Sequence, residues 1–146
     1  MNTTQLLNLP VQDVMTKELI TVHETDLMAT VEELLTSHKI NHIPVIDEDG
    51  LIKGILTKND LMLLKDWGSK LNLKASIKAN YQILHSNTAK DKMSTNIITV
   101  SPTDNLEHCA KIFRDNTFHA LPVTSDGALV GMITTYDLLN VAYPTS

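Results

Sequence analysis

The sequence predicts an α+β fold made of two pseudo-symmetric units, each running strand, helix, strand, strand, helix. Three observations predict it. The chain repeats itself at an offset of 78 residues, the distance from Asp13 to Asp91. Each copy closes on a glycine, an apolar run and a Thr-x-x-Asp-Leu, first at Gly54–Leu61 and again at Gly131–Leu138. Within each copy, short β-branched runs alternate with apolar residues at helical spacing.

The repeat is legible residue by residue. Asp13-Val14-Met15-Thr16 falls on Asp91-Lys92-Met93-Ser94, and Ile20-Thr21-Val22 on Ile98-Thr99-Val100. Thr25-Asp26 falls on Thr103-Asp104, and Pro44-Val45 on Pro122-Val123. After a one-residue deletion, Gly50, Gly54, Thr57, Asp60 and Leu61 fall on Gly127, Gly131, Thr134, Asp137 and Leu138. Two copies do not make a solenoid; they make a pair, each unit too small to close its own core.

Taken in order, Leu19–Val22 reads as a strand. Asp26 has the chemistry to cap a helix carrying Leu27, Met28, Val31, Leu34 and Leu35 on one face. Ile43–Ile46 is the second strand. Asp47-Glu48-Asp49-Gly50 is a turn, with carboxylates that bond their own backbone and a glycine that tolerates positive φ. Leu51–Thr57 is the third strand and Asp60–Lys65 opens the second helix. The second copy repeats this with strand Ile97–Val100, a helix from Asp104 carrying Leu106, Cys109, Ile112 and Phe113, strands Leu121–Thr124 and Leu129–Thr134, and a helix from Asp137. The repeats are bounded at 10–64 and 89–143. The connection 65–88 holds Trp67, Gly68, Leu71 and Tyr81 and is too long for a bare loop, so part of it is expected to be helical.

Bulk properties exclude several classes. Hydrophobic content of 42% with 20% charged residues is globular rather than disordered. The single cysteine, Cys109, excludes an internal disulfide and a Cys-based zinc site, and its place on an apolar helix face marks a buried, inert thiol. A net charge of −5 with one arginine offers no clustered cations for nucleic acid. Lys70, Lys74 and Lys78 would line one helix face as a solvated stripe. The longest apolar run, Leu61–Leu64, is far short of a membrane span, and the first residues lack a signal-peptide pattern. The expectation is a cytoplasmic protein.

Thr57-x-x-Asp60 and Thr134-x-x-Asp137 carry the chemistry. A threonine at a strand end that starts a helix offers a hydroxyl beside free N–H groups, which suits an anion such as phosphate. A carboxylate one turn on can accept two hydrogen bonds from a vicinal diol, as ribose presents. The same spacing also matches a capping box, with Asp in place of Glu or Gln. A single copy favours the cap; duplication after an apolar strand weakens that preference. No catalytic motif is present: there is no phosphate loop, no His-Glu-x-x-His, and no Ser or Cys set beside a base. His38 and His42 would not share a helical face, so no metal pair is expected, and the chain is not expected to be an enzyme.

The two units together resemble a tandem CBS-domain pair, or Bateman module, of the stand-alone bacterial type. The resemblance rests on Val14-Met15-Thr16 and Met93-Ser94, on Ile20-Thr21-Val22 and Ile98-Thr99-Val100, and on His42-Ile43-Pro44-Val45-Ile46-Asp47 and Ala120-Leu121-Pro122-Val123. The closing Gly-x-hydrophobic-Thr-x-x-Asp-Leu completes it in each unit. It spans about residues 10–64 and 89–141, with no room for a further domain.

That resemblance implies two sheets packed face to face with helices outside, and two clefts that bind adenosine-containing ligands. One would combine Met15, Ile20, Ile40, Asn41 and His42 with Met132, Thr134 and Asp137. The other would combine Met93, Ile98, Phe118, His119 and Ala120 with Ile55, Thr57 and Asp60. By the same analogy the aspartates hold ribose hydroxyls, the threonines approach a phosphate or the ribose, and the apolar residues sandwich adenine. Phosphate contacts would come from Lys39, Lys58, His42 and His119. Tyr136 and Asn59, each just before its Asp, differ in bulk and make the clefts unequal. Candidate ligands are AMP, ADP, ATP or S-adenosylmethionine, with no required cofactor. The implied function is a regulatory module that senses such a ligand, works as a homodimer and signals to a protein partner. The alternative is a structural or interaction module with empty clefts, in which the threonines and aspartates are caps.

Overall fold

The strands and helices are set by where the backbone can find partners, and two prolines decide much of it. The computed structural model describes residues 2–66 and 73–144. In chain order the elements are α1 (Thr3–Leu7), a short 3-10 turn Val11–Asp13, β1 (Val22–His23), α2 (Met28–Ser37), β2 (His42–Ile46), β3 (Ile52–Thr57), α3 (Lys58–Asp66) and α4 (Leu73–Ser86). There follow α5 (Ala89–Lys92), α6 (Leu106–Asp115), β4 (Ala120–Ser125), β5 (Ala128–Thr134) and α7 (Thr135–Ala142). The fold is α+β, with one sheet ordered β1-β2-β3 and another formed by β4-β5. The expected helix in the connection is α4; Trp67, Gly68, Lys70 and Leu71 lie outside the described residues.

The chain divides into two compact units that are not cut where the sequence repeats. One is Ile20–Ile97; the other joins Met1–Leu19 to Ile98–Ser146. Each holds one closing signature, but each is completed by the segment that opens the repeat of the other signature.

In the first of these units, β2 and β3 pair antiparallel with His42 opposite Thr57 and Val45 opposite Gly54. The turn between them works as its sequence implies. Asp47 Oδ1 accepts from the N–H groups of Asp49 and Leu51 at 2.9 and 3.0 Å, and Gly50 sits at φ 80°. Met28, Val31 and Leu35 of α2 pack on Ile43, Val45 and Leu56, with Leu61, Leu84 and Ala89 closing the core. Residues 87–94 are bound into this unit by backbone. Met28 N–H donates to Asn87 O at 2.9 Å, Ala89 N–H to Asp26 O at 2.8 Å, and Ile55 N–H to Ser94 O at 3.0 Å.

The other unit repeats the arrangement with residues 9–16 in that role. Leu106 N–H donates to Leu9 O, and Val11 N–H to Asp104 O. Thr16 and Met132 exchange both backbone bonds, at 2.9 and 3.0 Å. Val11 is fully buried among Val100, Leu106, Cys109, Leu121, Val123 and Ile133.

Two sequence expectations change here. The strands Leu19–Val22 and Ile97–Val100 are shorter than expected. Only Val22–His23 pairs in the first unit, in parallel with Val45–Ile46, and in the other only Val100 forms a bridge, to Val123. Val100 N–H donates to Pro122 O and Thr124 N–H to Val100 O. The next rung toward the N-terminus would need an N–H from Pro122, or from Pro44 in the first unit, and proline has none. The second correction concerns caps. Asp26 and Asp104 do not cap α2 and α6. Their Oδ2 atoms accept from the N–H of His23 and Ser101 at 2.8 and 2.7 Å, closing the turn before each helix. Asn105 caps α6 by accepting from His108 N–H, and Leu27, with no capping side chain, precedes α2.

Candidate functional site

Each signature threonine ends a strand and each signature aspartate stands in the first turn of the helix that follows. Thr134 Oγ1 accepts from Asp137 N–H at 3.1 Å, while Asp137 Oδ2 accepts from Thr134 N–H at 2.9 Å. Thr57 and Asp60 do the same at 3.1 and 2.8 Å. Both are therefore complete capping boxes, each satisfying two N–H groups that a helix start leaves without partners. A third Thr-x-x-Asp, Thr88 with Asp91, lies outside the signatures at the start of α5, where Asp91 Oδ2 accepts from the Thr88 N–H at 2.9 Å and from its hydroxyl at 3.0 Å. The box alone is thus no mark of a ligand site. It does leave one carboxylate oxygen, Oδ1, of Asp60 and of Asp137 unused by the described residues, held rigidly by the bonds to its twin.

The strand registers decide which candidate residues meet. Met15 packs against Gly131, beside Met132, and Thr134 follows two residues on. Ala120 is opposite Thr134, and His119 O accepts from Thr135 N–H at 3.0 Å. Met15, Met132, Thr134, Asp137, Phe118, His119, Ala120 and Ile98 therefore belong to one unit. Met93, Ile55, Thr57 and Asp60 belong to the other, with Ile20, Ile40, Asn41 and His42. There His42 is opposite Thr57, and Asn41 O accepts from Lys58 N–H at 2.9 Å. Both residue sets expected from the sequence draw on both units. Several of their apolar members also serve the cores: Ile40 and Met93 pack on one, Met15, Ile98 and Phe118 on the other.

Glycine at 54 and 131 has a steric reason. A Cβ on Gly54 would lie 2.6 Å from Met93 Sδ and 2.8 Å from Ser94 O; on Gly131 it would collide with Met15 Sδ. Each glycine lets the chain around a methionine lie flat on the strand that leads to a signature.

The cations are dispersed. Lys39 closes α2 in the left-handed region at φ 52°, Lys58 opens α3 and is exposed, and His119 is exposed. Tyr136 is exposed on α7, and Asn59 on α3. Among the described residues no group of three or more His, Cys, Asp or Glu could hold a metal, and no helix is long and apolar enough to cross a membrane. Cys109 is buried, and burial, with Asp104 adding its negative charge, pushes its thiol up to about 11. It is protonated at neutral pH and a poor nucleophile.

Asp60 also lines a cavity of about 590 Å³ with Leu63, Leu64, Ile83, Asn87 and Lys92. Asn87 and Lys92 were missed by sequence reasoning. The signal for Lys92 was present, since it stands where the first repeat has Val14.

The CBS domain family model matches residues 11–65 and 89–143. A CBS domain-containing protein of Dictyostelium discoideum is 30% identical over 90% of this chain and 89% of its own length. The chain belongs to the CBS-domain family. A homoserine O-acetyltransferase of Methanocorpusculum labreanum is 29% identical over 91% of the chain, which spans only about a quarter (24%) of that enzyme. Among solved structures, the CBS domain of a CBS domain-containing membrane protein from Sphaerobacter thermophilus superposes with a TM-score of 0.81 at 26% identity, covering 94% of this chain and 90% of that one. CBSX2 of Arabidopsis thaliana, in complex with AMP, gives 0.75 at 28%, covering 91% and 95%. The CBS domain pair of protein MJ0100, in complex with 5′-methylthioadenosine and S-adenosyl-L-methionine, gives 0.71 at 27%, covering 92% and 95%. The structural neighbours of this chain are CBS domain pairs, and CBSX2 and the MJ0100 pair are among those that hold adenosyl compounds.

Proposed function

We propose that the chain is a regulatory module that binds an adenosyl compound and has no catalytic role of its own. The candidate ligands are AMP, ADP, ATP and S-adenosylmethionine. The observation that carries the reading is the adenosyl ligand in two neighbours that match over nine-tenths of the chain. The signature geometry supports it: Asp60 and Asp137 each keep one oxygen for a ribose hydroxyl while the other is locked by its threonine. Met15, Ile20, Ile40, Asn41, His42, Met132, Thr134 and Asp137 would serve one ligand. Met93, Ile98, Phe118, His119, Ala120, Ile55, Thr57 and Asp60 would serve another. The ligand acts by binding one arrangement of the protein better than another, and it shifts the balance only by that difference.

Thermal denaturation tests this. Ligand at 100 times its dissociation constant adds about 2.7 kcal/mol, a shift of several degrees. Asp60→Ala and Asp137→Ala should each remove one binding event while the protein stays folded; two variants that bind as the parent does would sink the ribose assignment.

A second reading has its own observation. Met62, Leu63, Ile77 and Tyr81 on α3 and α4, and Tyr136, Leu139 and Tyr143 around α7, are large apolar side chains exposed to water. They favour association, and we infer a homodimer. A mass at twice the chain's from light scattering supports it, and a monomer at every concentration refutes it.

A further inference from the structure

The cavity beside Asp60 is lined by a residue, Lys92, whose equivalent in the other repeat is of a different chemical type. Asp60, Leu63 and Leu64 lie on one face of α3; Ile83 and Asn87 come from the end of α4 and the residue after it; Lys92 ends α5. Its volume, about 590 Å³, is in the range of small-molecule sites. The walls are aliphatic, and three polar groups stand among them. Asp60 contributes the oxygen that its capping box leaves over. Asn87 spends its amide N–H₂ on Ile83 O at 2.8 Å, which leaves its carbonyl oxygen as an acceptor. Lys92 brings the positive charge, is exposed, and makes no ion pair among the described residues.

At the offset of the repeat, Lys92 corresponds to Val14. Val14 is partly buried and packs against the core of its own unit. The repeat that supplies the Asp137 unit with its opening segment therefore has a valine at the position where the lining beside Asp60 has a lysine. A lysine so placed next to a carboxylate asks for a ligand with donors at one end and an anion at the other.

We propose that Lys92 determines specificity for ligand charge, so that the Asp60 site selects a nucleoside carrying an anionic phosphate while the Asp137 site does not. This rests on the ribose assignment for Asp60 made above. The carboxylate and the Asn87 oxygen accept from sugar hydroxyls, the aliphatic side chains offer an apolar wall, and Lys92 meets the phosphate. A charge-assisted contact of this kind outweighs a neutral hydrogen bond.

Calorimetric titration with AMP and with adenosine tests it, because the two differ only in the phosphate. The titrations use Asp137→Ala to silence the other site, with and without Lys92→Val, which copies the first repeat, or Lys92→Arg, which keeps the charge. The expected result is an AMP-to-adenosine affinity ratio that falls about tenfold in Lys92→Val and is retained in Lys92→Arg. AMP affinity should also lose most of its salt dependence in Lys92→Val. An unchanged ratio in Lys92→Val, with AMP binding still abolished by Asp60→Ala, overturns the role of Lys92 and leaves the ribose assignment standing. AMP binding that survives Asp60→Ala overturns both, as does failure of the parent to bind either compound.

Discussion

Gly54 and Gly131 look alike in the sequence and face different neighbours in the structure. A methyl group at 131 meets only the side chain of Met15, whose far end can swing away. A methyl group at 54 also meets Ser94 O, a backbone atom tied into the exchange of hydrogen bonds with Ile55. Overpacking of this kind costs about 1–3 kcal/mol. Gly54→Ala should fall at the upper end of that range and Gly131→Ala at the lower, read as the difference in urea midpoint between the two variants. Equal losses would show that the backbone at Ser94 gives way as easily as a methionine side chain. The glycines themselves were visible in the sequence as parts of the signature. Their reason was not, because the methionine that each accommodates lies about 40 residues away for Gly54 and over 100 for Gly131, beyond the reach of a local pattern.

At the scale of elements, three helices start on a Thr-x-x-Asp whose carboxylate accepts from the threonine N–H, and only two of them are signatures. This makes Thr88 a control. Thr57→Ala, Thr134→Ala and Thr88→Ala should each cost about 1 kcal/mol in denaturation experiments. Only the first two should also weaken adenosyl-ligand binding. If Thr88→Ala weakens it equally, the signature threonines act through stability alone. The box at α5 has an electrostatic consequence too. Hydrogen bonds from Thr88, N–H and hydroxyl, hold the Asp91 carboxyl below its usual range, and the Leu51 N–H does the same for Asp47. A carboxylate whose folded value is depressed adds stability above its unfolded value, near 3.8, and loses it as pH falls through the folded one. Melting temperature should therefore drop on acidification below about pH 4, and more shallowly in Asp47→Asn and Asp91→Asn than in the parent. The opposite slope would mean that these carboxylates are not held by their backbone donors. Helices and hairpins were readable from spacing and turn chemistry. The two opening strands were overextended, since β-branched residues at Leu19–Val22 and Ile97–Val100 announce a strand but not whether a neighbour can supply the N–H groups for it. Pro44 and Pro122 held that information on a different strand.

For the molecule as a whole, the decisive feature is the crossing of the starting segments. Val11 is buried in the unit that contains Asp137, although it belongs to the repeat that ends at Asp60. Val11→Ala should cost about 2 kcal/mol by removing buried methyl groups. Hydrogen exchange should show the loss of protection in β4, β5 and α6 and not in β2 and β3; the reverse pattern would place the first residues in the other unit. The sequence by itself determined that there are two copies, the order of elements in each, the hairpins and their turns, the burial of Cys109 and the residue types at both signatures, because these depend on spacing within about 10–20 residues. Only the tertiary structure decided that residues 9–16 complete the second copy and residues 87–94 the first, and that Lys92 shares a cavity with Asp60. Backbone bonds such as Leu106 to Leu9 and Met28 to Asn87 join partners whose side chains play no part, so no pattern of residue types can announce them.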